Sequence, residues 1–173
     1  GFMWFGTEDG LNRFDGYNFL VFRPNPDDFY SINDIWINTL FEDSHGILWI
    51  GTRQGGLNRY DPGTGHFTHY LNDPLVQNSL SSNTVHAIQE DNNGYLWIGS
   101  DMGLDRLDPV TGTFKHFYIS PAGIDAPLDD QINVILKASN GILWVGTSDN
   151  GLKRFHPTTG SYKIFTHDPD NNT

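Results

Sequence analysis

The sequence predicts an all-β protein, a β-propeller fragment of about four blades, each of four antiparallel strands, the first blade lacking its innermost strand. Three observations carry this expectation. First, a five-residue segment recurs as Met3-Trp4-Phe5-Gly6-Thr7, Leu48-Trp49-Ile50-Gly51-Thr52, Leu96-Trp97-Ile98-Gly99-Ser100 and Leu143-Trp144-Val145-Gly146-Thr147, its tryptophans 45, 48 and 47 residues apart. Self-similarity at that period marks an array of equivalent units, none able to bury its apolar face alone. Second, the apolar runs are short, rich in aromatic and β-branched residues and separated by Gly, Pro, Asn and Asp, with no sustained helical periodicity. Third, the distance from Phe19 to Trp49, from Phe67 to Trp97 and from Phe114 to Trp144 is 30 residues each time. Four antiparallel strands per unit, repeated radially, make the blade of a propeller.

The elements follow in order within a unit. An innermost strand is expected at Ile35 to Phe41, Val85 to Gln89 and Ile132 to Leu136, each closed by a turn ending in Gly46, Gly94 or Gly141. The chain starts at Gly1, the counterpart of Gly46, so the first unit has no such strand. The tryptophan segment is the second strand. The third opens on a Gly-Leu pair, as in Gly56-Leu57-Asn58-Arg59-Tyr60, and repeats with Arg13, Arg106 and Arg154 in place of Arg59. The turn Asp61-Pro62-Gly63-Thr64-Gly65 follows, with Pro presetting the first turn angle. In the first unit it shortens to Asp15-Gly16, a two-residue hairpin signal. The outermost strands are Phe19 to Phe22, Phe67 to Tyr70, Phe114 to Phe117 and Tyr162 to Phe165. Pro26, Pro74, Pro121 and Pro169 coincide in the long connections. The units fall at about 1–34, 35–82, 83–129 and 130–173 of a single partial propeller. Four blades lie at the bottom of the usual range of about four to eight, so the chain reads as a piece of a longer array.

Composition excludes several function classes. A formal charge of -11, with ten Lys and Arg, disfavours nucleic acid and anionic membrane surfaces, which need a basic face. No apolar run is long enough to span a bilayer. Without cysteine there are no disulfides or thiolate metal sites. His66 and His69 stand three apart on a strand and so face opposite sides. The turns Asp43-Ser44-His45-Gly46 and Asp91-Asn92-Asn93-Gly94 lack the alternating ligands and terminal Glu of a calcium loop and are expected to be turn formers. No metal, cofactor or catalytic residue is expected.

Laid out as Asp-x-x-Gly-x-Leu-Trp-Ile-Gly-Thr and then Gly-Leu-x-Arg-Tyr-Asp-Pro-x-Thr-Gly-x-Phe-x-x-Tyr, the chain resembles the two-component regulator propeller repeat along essentially its whole length. WD and kelch signatures fit poorly. The resemblance implies the extracytoplasmic, periplasmic sensor region of a hybrid two-component histidine kinase of the Bacteroidetes type. It also implies an oligosaccharide ligand, and partners in further blades and downstream sensor domains.

A residue placed identically in every blade is expected to be structural. The four repeated tryptophans are assigned to blade-to-blade packing and the four repeated arginines to carboxylates or carbonyls of neighbouring strands. What breaks the template is the better guide to function. Trp36, opposite Thr84 and Gln131 in the repeat, is the fifth tryptophan, and Arg53 sits beside the inserted Gln54. Both belong to connections that should open at the mouth of the central channel, with Tyr30 in the same long connection as Trp36. Asn38, His86 and Asn133 share one position on the innermost strands. Carbohydrate sites pair an aromatic face with convergent polar groups, so Trp36, Tyr30, Arg53, Gln54, His86, Asn38 and Asn133 form the expected ligand-binding set. Two alternatives stand beside a sensor: a propeller enzyme of lactonase or lyase type, and a pure scaffold or dimerisation module. The open blade edges at both ends are expected to self-associate.

Overall fold

The computed structural model describes residues 1–117 and 131–166. Among them there is no helix, and fifteen strands form four antiparallel meanders. The first blade has three strands: β1 (Met3–Thr7), β2 (Gly10–Phe14) and β3 (Phe19–Phe22). The second holds β4 (Ile37–Glu42), β5 (Leu48–Thr52), β6 (Leu57–Tyr60) and β7 (Phe67–Tyr70). The third holds β8 (Val85–Glu90), β9 (Leu96–Ser100), β10 (Gly103–Asp108) and β11 (Thr113–Phe117). In the fourth are β12 (Ile132–Lys137), β13 (Leu143–Thr147), β14 (Leu152–Phe155) and β15 (Tyr162–Phe165). This is the expected propeller array, with the expected three-stranded first blade. Pro121 and Pro169 lie outside the described residues.

The core consists of the faces between blades, as the repeat requires. Between the first two blades, Trp4, Leu11 and Phe22 meet Leu48, Ile50, Tyr60 and Phe67. Between the second and third, Trp49 and Leu57 meet Ile98, Leu107 and Phe114. Between the third and fourth, Trp97 and Leu104 meet Leu143, Val145 and Phe155. Trp4 packs edge-on against Tyr60 at 5.2 Å and Trp97 against Phe155 at 5.0 Å. Trp49 and Trp97 are fully buried. Burial of one indole is worth about 4–6 kcal/mol gross, against an extended-chain reference that makes this an upper bound.

The polar end of each buried indole has a dedicated partner. Trp49 Nε1–H donates to Asp43 Oδ2 at 2.8 Å, and Trp97 Nε1–H to Asp91 Oδ2 at 2.9 Å. The other oxygen, Asp43 Oδ1, accepts from the amides of His45 and Ile47, and Asp91 Oδ1 from those of Asn93 and Tyr95. These aspartates therefore form the turn and also satisfy the buried tryptophan six residues on. The fourth blade has Ala138 at this position.

The repeated glycine after each tryptophan marks the closest approach of neighbouring blades. A Cβ built on Gly99 would lie 2.5 Å from Ile132 Cγ2, and one on Gly6 or Gly51 2.6 Å from Ile37 Cγ2 or Val85 Cγ1. Each innermost strand thus seats a β-branched side chain in the notch of the preceding blade. Ser44 adds a polar link, its amide and hydroxyl donating to Glu90 of the next blade at 2.8 and 2.6 Å.

Two local expectations change. The β2–β3 loop spans four residues, since Phe14 pairs with Phe19 and the Asp15 amide donates to Asn18 O at 3.2 Å. Asp15 Oδ1 accepts from the amides of Tyr17 and Asn18, which stabilises the longer loop. Two of the four repeated arginines meet ring faces instead of carboxylates: Arg13 lies 4.3 Å from the Phe2 centroid and Arg106 4.2 Å from that of Tyr95.

Candidate functional site

In the second and third blades, the end that carries the β5–β6 type of loop also receives the long connection entering the innermost strand. In the second blade this brings Trp36 and Arg53 into contact. The guanidinium lies 4.2 Å from the Trp36 ring centroid, and the Arg53 amide donates to Trp36 O at 3.1 Å. The indole is half-buried and Arg53 exposed.

Asp34 organises this corner. Its Oδ1 accepts from the Trp36 amide at 3.1 Å, while its Oδ2 accepts from the amides of Gln54 and Gly55 at 2.7 and 3.0 Å. One carboxylate therefore ties the connection to the loop enlarged by Gln54. Asp34 was not among the expected residues, although an Asp two places before a strand is an Asx-turn signal. The turn also delays β4, which starts at Ile37 instead of Ile35.

Asn38, His86 and Asn133 share a geometry that the sequence did not reveal. In each complete blade the pairing between the two inner strands shifts register across one of these residues, between Ile37 and Thr39, Val85 and Ala87, and Ile132 and Val134. They are the extra residues of three equivalent β-bulges, unpaired in the ladder and free to present side chains at the channel end. Asn38 Nδ2–H donates to Val85 O of the next blade at 3.0 Å. His86 Nε2 lies 2.7 Å from Asp101 Oδ1 and 3.0 Å from the Gln131 amide nitrogen, so it joins the third blade to the entry of the fourth. Asn133 Nδ2–H donates to Ser148 Oγ at 3.1 Å.

Tyr30 lies apart from these residues. Its ring stacks on His66 at 4.2 Å, and its carbonyl accepts from the Phe67 amide, at the β6–β7 end of the blade. The connection descends along the outer strand before it returns to Trp36, so six residues of separation span the blade from end to end. His66 and His69 also part company: His66 faces Tyr30, and His69 Nε2–H donates to Ser31 O at 2.8 Å.

Beneath the next connection, Asp105 is 1% exposed and holds two groups. Ser81 donates from its amide and hydroxyl to Oδ2 at 2.9 and 2.6 Å, and His116 Nδ1 lies 2.7 Å from Oδ1. This is Ser, Asp and His without triad order, because the serine hydroxyl points to the aspartate and not to the imidazole that would have to deprotonate it. Among the described residues no group of three or more His, Asp or Glu could hold a metal ion.

With this geometry in view, comparison with known proteins is decisive at the level of the repeat. The profile described as Two component regulator propeller matches residues 31–54, 79–102 and 127–149, each stretch containing one repeated tryptophan. These three stretches are two-component regulator propeller repeats. Its structure is similar to the extracellular domain assigned to the hybrid two component system BT3049 of B. thetaiotaomicron, with TM-score 0.84 and 31% identity over 96% of this chain and 23% of that one. A 33-residue stretch is 54% identical to a histidine kinase of Formosa agariphila, covering 19% of this chain and 2% of that protein. The two-component regulator propeller array thus spans only a minor part of each relative. Streptogramin B lyase superposes with TM-score 0.71 at 20% identity over 99% of this chain and 52% of that one, which shows a shared fold alone.

Proposed function

We propose that this propeller array is the ligand-recognising part of an extracytoplasmic, periplasmic sensor. In this reading it binds an oligosaccharide at the channel mouth and passes the signal through downstream domains to a histidine kinase. The relationship to an extracellular domain of a hybrid two component system supports the setting. The observation that carries the site is the Trp36–Arg53 stack, the place where the repeat is broken by an aromatic and a cation that touch each other. Gln54 and the bulge residues Asn38, His86 and Asn133 supply polar groups around the same end, whereas Tyr30 is too far away to share a ligand with them. The open faces of the first and last blades, where Phe5 and Phe19 at one end and Leu152 and Phe165 at the other are exposed, are proposed to associate with further blades or with a second copy.

Calorimetric titration with a panel of neutral and acidic oligosaccharides tests the site. A saturable ligand should bind the native array and lose at least about tenfold in affinity in Trp36→Ala, since truncating a central aromatic contact costs about 1–2 kcal/mol or more. Binding undiminished in both Trp36→Ala and Arg53→Ala would move the ligand elsewhere and leave this end a scaffold.

A further inference from the structure

At the opposite end of the blades, the gap between the second and third holds a cavity of about 320 Å³. The repeat explains why it is there. Each repeated arginine pairs directly across the sheet from the repeated tryptophan, as Arg13 with Trp4, Arg59 with Trp49 and Arg106 with Trp97. Two places before the tryptophan, on the same face, stands Phe2 in the first blade and Tyr95 in the third, and the guanidinium rests on that ring. In the second blade this residue is Ile47. With no ring to cover it, the Arg59 guanidinium has neither a hydrogen bond nor an ion pair among the described residues, although its charge acts on the Asp61 carboxylate, and it lines the cavity with Ile47, Trp49, His45, Pro109 and Val110.

We propose that this cavity is a second binding site, distinct from the channel mouth, for a carboxylate carried on a compact body of one sugar ring. The planar guanidinium provides two parallel N–H donors that match a carboxylate. Ile47, Pro109 and Val110 supply apolar walls for the C–H face of a ring, and Val110 is 92% exposed and open to such contact. The volume lies at the small end of ligand pockets, about 300–1,000 Å³, and admits one ring. Asp43 also borders the cavity, but both its oxygens are occupied by Trp49 Nε1–H and by the amides of His45 and Ile47. The chain's net charge of -11 opposes any anion at long range. Recognition therefore depends on contact with Arg59, and it persists at physiological salt, where charges beyond about 8 Å are screened.

The repeat also supplies the control. Ile47→Tyr copies the third blade's arrangement, draws Arg59 onto the new ring and closes the site while keeping a side chain the fold already accommodates at Tyr95. Sodium glucuronate, with glucose as its neutral counterpart, would be titrated into the ¹⁵N-labelled array, and amide shifts of His45, Ile47 and Val110 followed. Expected are saturable shifts for glucuronate with a dissociation constant of the order of 1–10 mM, and no comparable response to glucose. Arg59→Gln should weaken glucuronate at least about tenfold, Ile47→Tyr should abolish the shifts, and Trp36→Ala should leave them unchanged. Shifts that do not saturate, that glucose reproduces, or that survive in both Ile47→Tyr and Arg59→Gln overturn the proposal. A loss in Trp36→Ala would instead assign the binding to the channel mouth.

Discussion

Trp97 and Trp36 are the same residue type in opposite roles, and the difference lies in what each ring touches. Trp97 is fully buried: Phe155 and Phe117 pack on it, and Asp91 takes its N–H. Trp97→Ala is expected to cost about 3–5 kcal/mol, the loss typical of a large core aromatic. Trp36→Ala, at a half-buried position under Arg53, should cost distinctly less. Equal shifts of the urea midpoint for the two variants would refute this division. The imidazole of His116 makes a further prediction. Nδ1 faces Asp105 Oδ1 and Nε2 faces Gln77 O at 3.0 Å, so both nitrogens must carry a proton to satisfy both acceptors. The hydrogen bond to Asp105 raises its pKa above the ordinary 6.5, against an opposing but smaller effect of burial. A pKa higher folded than unfolded gives stability that is fully present below the unfolded value and is lost as pH rises through the folded one. The native chain should therefore lose stability above about pH 6.5 more steeply than His116→Gln. Parallel pH profiles for the two would show that the ring is not cationic. Asp105, Ser81 and the adjacent Lys115 are the groups whose influence that comparison holds constant.

At the scale of the strand, Gly99 tests how closely blades meet. Gly99→Ala would set a methyl group 2.5 Å from Ile132 Cγ2 and 3.3 Å from Ala87 Cβ. Overpacking of this kind costs about 1–3 kcal/mol, and a thermal melt unchanged by the substitution would show that the blades can separate freely. The strands themselves were legible, because alternation, turn residues and a fixed 30-residue interval are properties of sequence that survive folding unchanged. The outermost strands lie where the aromatic pairs place them, at Phe19–Phe22 and Phe67–Tyr70. The contact of Trp36 with Arg53 was legible too, as two departures from one template. The bulges at Asn38, His86 and Asn133 were not, since an extra residue in a pairing leaves no mark in composition. Tyr30 was misplaced for a related reason: proximity along a connection says nothing of its path, and this one runs the length of a blade. The partner of the arginines was missed because a ring two residues before the tryptophan, present at Phe2 and Tyr95 and absent at Ile47, looks like ordinary strand hydrophobicity.

Across the whole molecule, stability is shared between neighbours, since no blade contains a core of its own. The first blade exposes Met3, Phe5 and Phe19, whose repeat counterparts Leu48, Ile50 and Phe67 are buried against a neighbour. The two open faces are unlike, so association between copies would be head-to-tail, forming a ring where the rotation closes and an open chain where it does not. Sedimentation at rising concentration should show species larger than a monomer, which Phe5→Lys with Phe19→Lys should suppress; a purely monomeric native array at high concentration would defeat the idea. The long connections bear on how such an array is made. The two described ones, before the second and third blades, pass along the outer edge of the blade that follows them in the chain: Phe67 N–H donates to Tyr30 O and Phe114 N–H to Asn78 O, and His69 and His116 add side-chain bonds to the same segments. During synthesis, which delivers the N-terminal part first, each strap leaves the ribosome before the blade it will cover. The last strand of that blade then meets a partner already waiting, and part of its edge is covered as it forms.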